Sequence, residues 1–226
     1  MDDFWPYLHT RDNLIENSEI HHAMERLGDG NAIFIRGAGN VIRRNYVHHI
    51  LAPIRTGRRE DGYAHRRKID LQMHLAGHHA KVNNRFENNI VADIIAPPHG
   101  NYLVLREGLM TGATIQLNIL YSMNEVTTFI SEMNPEEKKT EDHRGRTIAR
   151  VSDVESDYNI SDPKLGEDVL SPLQAEGVDT HSLSNDPMFV DPANKNFLLK
   201  PDSPVLKLGF VPLDLSQLGL IDSPKV

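Results

Sequence analysis

The sequence predicts an all-β chain wound as a parallel β-helix, a stack of short coils, and three observations carry this. First, four segments align: residues 13–22, 40–49, 84–93 and 113–122. Each has an apolar third residue (Ile15, Ile42, Phe86, Ile115) and an apolar eighth (Ile20, Val47, Val91, Leu120). That alternation has the period of strands, not of helices. Second, a short motif with a basic residue recurs at Arg36, Arg55, Lys81 and Arg106, with gaps of 19, 26 and 25. Units of that length are too short for a strand–helix–strand crossover, which needs about 30 residues. One such unit cannot bury its apolar face alone, so the units must stack. Third, the sixth residue of each copy is polar: Ser18, Asn45, Asn89 and Asn118. In stacked coils like residues form columns about 4.8 Å apart, and each inward amide can donate to the residue on the next coil. A leucine-rich repeat has a similar period, but its leucine pattern is absent.

The elements follow in order. Only Phe4, Trp5, Pro6, Tyr7 and Leu8 are available to cover the first copy, so the chain reads as the later part of a longer stack whose upstream coils are missing. A fifth, degenerate copy is expected near residues 66–74. Residues 124–150 are polar and read as an exposed excursion around Asn134 and Pro135. Alternation returns over 147–160. Asp162-Pro163 and Ser171-Pro172 each start a short helix, the second ended by Gly177. Residues 188–190 and 197–200 read as strands around a turn at 191–196. The apolar stretch 206–220 reads as a strap over the C-terminal end of the stack. Residues 1–160 are thus the coils, and 161–226 the closing segment.

Composition narrows the classes. The chain has 226 residues, no cysteine and a formal charge of −8. That excludes a disulfide scaffold, a thiolate metal site and a cysteine nucleophile. No apolar run is long enough to span a membrane, no signal-peptide core is present, and the acidic balance argues against nucleic acid as partner. The charge is uneven. Residues 31–118 carry 12 basic and 6 acidic groups, whereas 119–226 carry 10 and 19.

The candidate sites follow from stacking. Arg36, Arg55, Lys81 and Arg106 flank inward apolar residues and are expected to point outward as a basic column. Either an acidic sugar offsets their repulsion, or neighbouring carboxylates such as Asp61 and Glu107 do. The tenth residues of the copies, His22, His49, Asp93 and Ser122, form a second expected column, able to act in acid–base chemistry or to hold a divalent ion. Adjacent histidines of one strand point oppositely, so His21 and His22 are not expected to share a site. His78 and His79 lie beside Lys81, with His99 and Tyr102 nearby. A base next to cations is what β-elimination from a uronate requires. No phosphate loop, nucleophile elbow or helix-borne metal motif occurs, and no cofactor or metal is assigned.

Residues 13–39, 83–93 and 185–210 resemble the right-handed parallel β-helix proteins of the pectate-lyase-like superfamily. The chain is most similar there to bacterial carbohydrate-active glycoside hydrolases of the α-fucosidase and xylanase type. The resemblance implies a poly- or oligosaccharide partner and an extracellular or periplasmic location. Glycoside hydrolysis needs two carboxylates about 5–10 Å apart. The resemblance favours Asp29 with Asp93, and Asp61 and Glu107 are further candidates. Gly57-Arg58 stands where an acidic residue is expected in relatives. Three readings stay open: a glycoside hydrolase first, a lyase acting on an acidic glycan second, and a non-catalytic glycan-binding or structural module third.

Overall fold

A computed structural model describes residues 11–22, 33, 37–51, 83–95, 101–105, 112–121, 128–132, 150–162 and 170–218, with the backbone alone at 49–51, 93–95, 101–105, 128–132 and 217. The described chain is mostly β, with parallel sheets and two short helices, which is compatible with an all-β solenoid. The strands are β1 (Leu14–Glu16), β2 (Glu19–His21), β3 (Val41–Arg43), β4 (Tyr46–Leu51), β5 (Arg85–Glu87), β6 (Ile90–Ile95), β7 (Asn101–Leu105), β8 (Ala113–Gln116), β9 (Ile119–Tyr121), β10 (Thr128–Glu132), β11 (Val154–Asp157), β12 (Ile160–Ser161), β13 (Leu183–Ser184), β14 (Phe189–Asp191) and β15 (Asn196–Leu199). The helices are α1 (Ser171–Ala175) and α2 (Pro204–Leu208). Among the described residues no helix is long and apolar enough to cross a membrane.

Successive strands alternate between two parallel sheets. One has the order β1-β3-β5-β8-β11, the other β13-β12-β9-β6-β4-β2. The register matches the aligned copies: Ile15 faces Ile42, Ile42 faces Phe86, and Phe86 faces Ile115. Ile20, Val47, Val91 and Leu120 are in register in the second sheet. From the second coil on, both sets are buried and form the interior between the sheets.

A left-handed backbone residue makes the bend between the sheets in every coil. Asn17, Arg44, Asn88, Leu117 and Tyr158 have φ between 51° and 58°. L-residues enter this region at a cost of about 1–2 kcal/mol. The residue that follows explains why the bend persists. Asn45 donates its backbone N–H and its Nδ2 to Asn89 Oδ1, Asn89 does the same to Asn118, and Asn118 to Asn159. The other Nδ2 hydrogen of Asn45, Asn89 and Asn118 goes to the carbonyl of Ile15, Ile42 and Phe86. Polar groups buried at a tight bend are therefore satisfied without water. A shorter ladder runs through Asn13, Asn40 and Asn84 at the other bend. There Gly112 has φ +71°, and a Cβ on it would collide with the Asn83 side-chain oxygen.

Several expectations are corrected. The coil lengths are 27, 44, 29, 41 and 23 residues along the asparagine column, not an even 20–26. β3 pairs directly with β5, and β4 with β6, so no extra copy near 66–74 inserts into either sheet. The bends are fixed, and the arms between them vary. A further copy instead lies at β11 and β12, with Ser156 and Ser161 in the two apolar places, which hid it. β10 lies within the segment read as an excursion and pairs with β7. β13 adds to β12, so the stack runs past residue 160.

The C-terminal hairpin β14–β15 forms as expected, but α2 was read as part of a strap. Ser203 caps it, Pro204 opens it, and Gly209 closes it at φ 101°. The described part of this segment lies along the flank of the stack, not over its end. Phe189, Phe197, Val205, Phe210 and Leu213 pack on Tyr46, Ile90, Ile119, Tyr121 and Ile160, the outward residues of the six-stranded sheet. Val211 exchanges two hydrogen bonds of 2.7 Å with the Asn88 side chain. The six-stranded sheet is thus covered on both faces over β4, β6, β9 and β12, while Glu19 and His21 of β2 stay exposed. The five-stranded sheet presents its outer face to solvent.

Candidate functional site

That outer face carries two columns of side chains. The first runs Leu14, Val41, Arg85, Thr114, Glu155, and the second Glu16, Arg43, Glu87, Gln116, Asp157. Strand parity puts them outward because Ile42, Phe86, Ile115 and Ser156 between them are buried. Neighbouring strands are about 4.8 Å apart, so the backbones of Glu16 and Glu87, and of Glu87 and Asp157, lie two strands or about 9.6 Å apart.

Each carboxylate of the second column has a cationic or imidazole partner. Glu16 accepts from Arg43 Nε at 2.7 Å. Glu87 accepts from both Nη2 and Nε of Arg85 at 2.7 and 3.2 Å. Asp157 Oδ2 lies 2.7 Å from His181 Nδ1, and its Oδ1 accepts the backbone N–H of His181 and of Tyr158. The Tyr158 ring stacks on His181 at 5.1 Å. Partial burial pushes the Asp157 carboxyl up, but the His181 side-chain and backbone hydrogen bonds, the Tyr158 N–H and the His181 charge outweigh it, so Asp157 is held below the ordinary 3.8. The group is therefore held as an anion.

Behind it, buried Asp179 ends the asparagine ladder. It accepts from Ser156 Oγ, Ser182 Oγ and Asn159 Nδ2 at 2.6, 2.6 and 2.9 Å. Burial raises its carboxyl above 3.8 against the pull of these bonds, and Asp157 nearby pushes the same way. The two aspartates link stability to pH with opposite signs. The stability tied to Asp179 is complete below 3.8 and lost as pH rises through its raised value. That tied to Asp157 is complete above 3.8 and lost as pH falls through its lowered value. Asp179→Asn is expected to flatten the decline of thermal stability above pH 3.8, read from unfolding midpoints across pH. An unchanged slope refutes the assignment.

A second polar cluster sits at the other end of the stack, on the six-stranded sheet. His48 is 4% exposed, stacks on Tyr46 at 4.1 Å, and places Nε2 2.8 Å from Glu19 Oε1. His21 stacks on His48 at 5.3 Å. His22 is exposed and leaves the strand at φ 52°, so the expected His22–His49 column does not form through strand pairing. The same turn brings His22 Nδ1 to 2.6 Å from His21 Nδ1, so the two adjacent rings are hydrogen-bonded to each other. Among the described residues no three metal-ligating side chains converge.

Of the residues singled out from sequence, Asp29, Asp61, His78, His79, Arg36, Arg55, Lys81 and Arg106 lie outside the described residues. His49 of β4 stands opposite Asp93 of β6, between the pairs His48–Ala92 and Ile50–Ile94. Tyr102 lies in β7. Glu16, Arg43, Glu87 and Gln116 were missed although they share the fourth place of the aligned copies. Asp157 was missed because its copy has serines where apolar residues mark the repeat, and His181 because it lies beyond that copy, before β13. No family model, curated protein or solved structure matches the chain.

Proposed function

We propose that the chain is a right-handed parallel β-helix of the pectate-lyase-like kind and that the outer face of its five-stranded sheet binds and hydrolyses a glycan outside the cytoplasm. One observation carries the reading: the column Glu16, Glu87, Asp157, whose residues lie on alternate strands with backbones two strand spacings, about 9.6 Å, apart from one to the next. Carboxylates of an inverting glycosidase stand about 6.5–9.5 Å apart, leaving room for a water. In this reading Asp157 takes the proton of a water whose oxygen attacks the anomeric carbon. Glu87, in its acid form, gives its proton to the departing sugar oxygen, and the proton taken up by Asp157 returns to it through solvent after the products leave.

The face also speaks to substrate class. Arg43 and Arg85 are set against Glu16, Glu87, Glu155 and Asp157, so the described face is acidic on balance. That favours a neutral glycan over a uronate, and hydrolysis over elimination. A second reading, binding without cleavage, is favoured by the pairing of each column carboxylate. Release of reducing ends from a panel of neutral and acidic polysaccharides separates them. Wild type is expected to release ends from a neutral polymer, and Asp157→Asn and Glu87→Gln to lose about 10²–10⁴-fold in rate while still binding it. Binding without any release supports the second reading. Ultraviolet-absorbing unsaturated products, or full activity in both variants, overturn the assignment.

A further inference from the structure

We infer that His181 is the positioning residue of Asp157: it orients the carboxylate so that the acceptor place left for the attacking water lies on Oδ2. The inference rests on the proposed role of Asp157 as the base in glycan hydrolysis.

An ionised carboxylate offers about four acceptor places on its two oxygens. Among the described residues three donors occupy Asp157: the backbone N–H groups of His181 and Tyr158 reach Oδ1 at 2.7 and 2.9 Å, and His181 Nδ1 reaches Oδ2 at 2.7 Å. Oδ1 is thereby filled, and Oδ2 keeps a place. The Asp157 side chain is 20% exposed, which puts that place within reach of solvent. The carboxylate has no proton to give, so Nδ1 of His181 is the donor. Thr180 Oγ1 makes a longer contact of 3.3 Å with the same nitrogen. A neutral ring then carries its proton on Nδ1 and its lone pair on Nε2, and the side chain is 62% exposed.

His181 is itself held in place. The Tyr158 ring lies nearly parallel to it, with centroids 5.1 Å apart and an interplanar angle of 9°. The chain reaches it through a turn that opens at Asp179 with φ 55°, and the Ser182 N–H closes the turn on the Asp179 carbonyl. Asp179 in turn bonds Ser156, the inward neighbour of Asp157. Its N–H goes to the Ser156 carbonyl, and its Oδ2 accepts from Ser156 Oγ at 2.6 Å. Adjacent residues of β11 thus grip one turn, Ser156 from the interior and Asp157 from the outer face. The other carboxylates of the column are held differently. Among the described residues, Glu16 and Glu87 are bonded by arginine side chains and by no backbone N–H. Only Asp157 is fixed by the main chain as well as by a ring, which is the support a precisely aimed base needs.

The test uses the full chain and the polysaccharide that wild type cleaves, with kcat and KM measured separately. His181→Ala keeps the backbone N–H and removes the ring. It is expected to lower kcat roughly 100-fold, the cost of a misplaced catalytic group, with KM within about twofold of wild type and circular dichroism unchanged. His181→Asn offers an amide N–H near the Nδ1 position and is expected to bring kcat back to within about tenfold of wild type. Tyr158→Ala removes only the stack and should cost about 2–10-fold. Nitrogen NMR of labelled wild type is expected to place the proton of the neutral ring on Nδ1. Undiminished kcat in His181→Ala, a loss confined to KM, no recovery in His181→Asn, or a neutral ring protonated on Nε2 overturns the inference and leaves the glycan reading standing. No cleavage of any polymer by wild type overturns that reading, and the inference falls with it.

Discussion

Asn89→Ala is expected to destabilise the fold by about 3–5 kcal/mol, since it strands several buried polar groups at once, each worth roughly 1–3 kcal/mol. Asn89 is fully buried. Its Oδ1 accepts the backbone N–H and Nδ2 of Asn45, and its Nδ2 donates to Asn118 Oδ1 and to the Ile42 carbonyl. Alanine leaves the buried Asn45 N–H and one Asn45 amide hydrogen without partners and takes one of the bonds to the Ile42 carbonyl. The Asn118 oxygen keeps the backbone N–H of residue 89, so the ladder below survives in part. Asn89→Asp is expected to cost more than alanine. It keeps an acceptor toward Asn45 but turns an oxygen toward the oxygens of Asn118 and Ile42. Denaturant unfolding with an unchanged slope is the measurement. A loss below about 1 kcal/mol in Asn89→Ala would mean that the ladder merely accompanies the bend and does not hold it.

Phe197→Ala should cost about 3–5 kcal/mol, the usual loss for a fully buried aromatic. Phe197 is 1% exposed and lies at the junction between the C-terminal segment and the stack. Its ring sits 5.0 Å from Tyr46, 6.0 Å from Tyr121 and 5.0 Å from Phe189, tilted or edge-on in each case. The loss is expected to be local first: residues 186–218 undock from the flank and become sensitive to limited proteolysis, while the strand ladder stays protected. Leu198, the next residue, points away and is 47% exposed. Leu198→Ala is expected to stay within about 0.5 kcal/mol of wild type, because exposed sites away from such contacts are tolerant. Equal effects of the two substitutions would remove Phe197 from its role as the anchor.

The legible part of this protein is its coil interior. Third-place and eighth-place residues face one another across the described sheets, and the sixth-place asparagines form the expected ladder. These features repeat because each coil meets the same neighbours, so a column of like residues is the physical consequence of stacking. The copy at β11 and β12 escaped notice because Ser156 and Ser161 occupy apolar places. Ser156 is tolerated in the interior because Asp179 accepts its hydroxyl. The even spacing failed for a similar reason: only the bends must coincide, and the arms between them are free to differ in length.

The candidate face was half legible. Glu16, Arg43, Glu87 and Gln116 share one place in the aligned copies, and strand parity alone turns that place outward. What parity does not reveal is which outward face remains free. Tyr46, Ile90, Ile119 and Ile160 are outward too, yet they are covered. The histidine pair was misread for a comparable reason, since strand alternation separates His21 from His22 and a single left-handed residue reunites them.

The parallel strands, their register and the inward columns follow from the chain's own pattern, because a short period repeated along it encodes contacts between neighbouring coils. Long-range packing settles that the described C-terminal segment lies on the six-stranded sheet and leaves the five-stranded sheet open. That choice rests on contacts such as Asn88 with Val211, 123 residues apart. No local pattern carries such a contact: it depends on which of two outward faces offers the apolar surface that Phe189, Phe197 and Phe210 can bury.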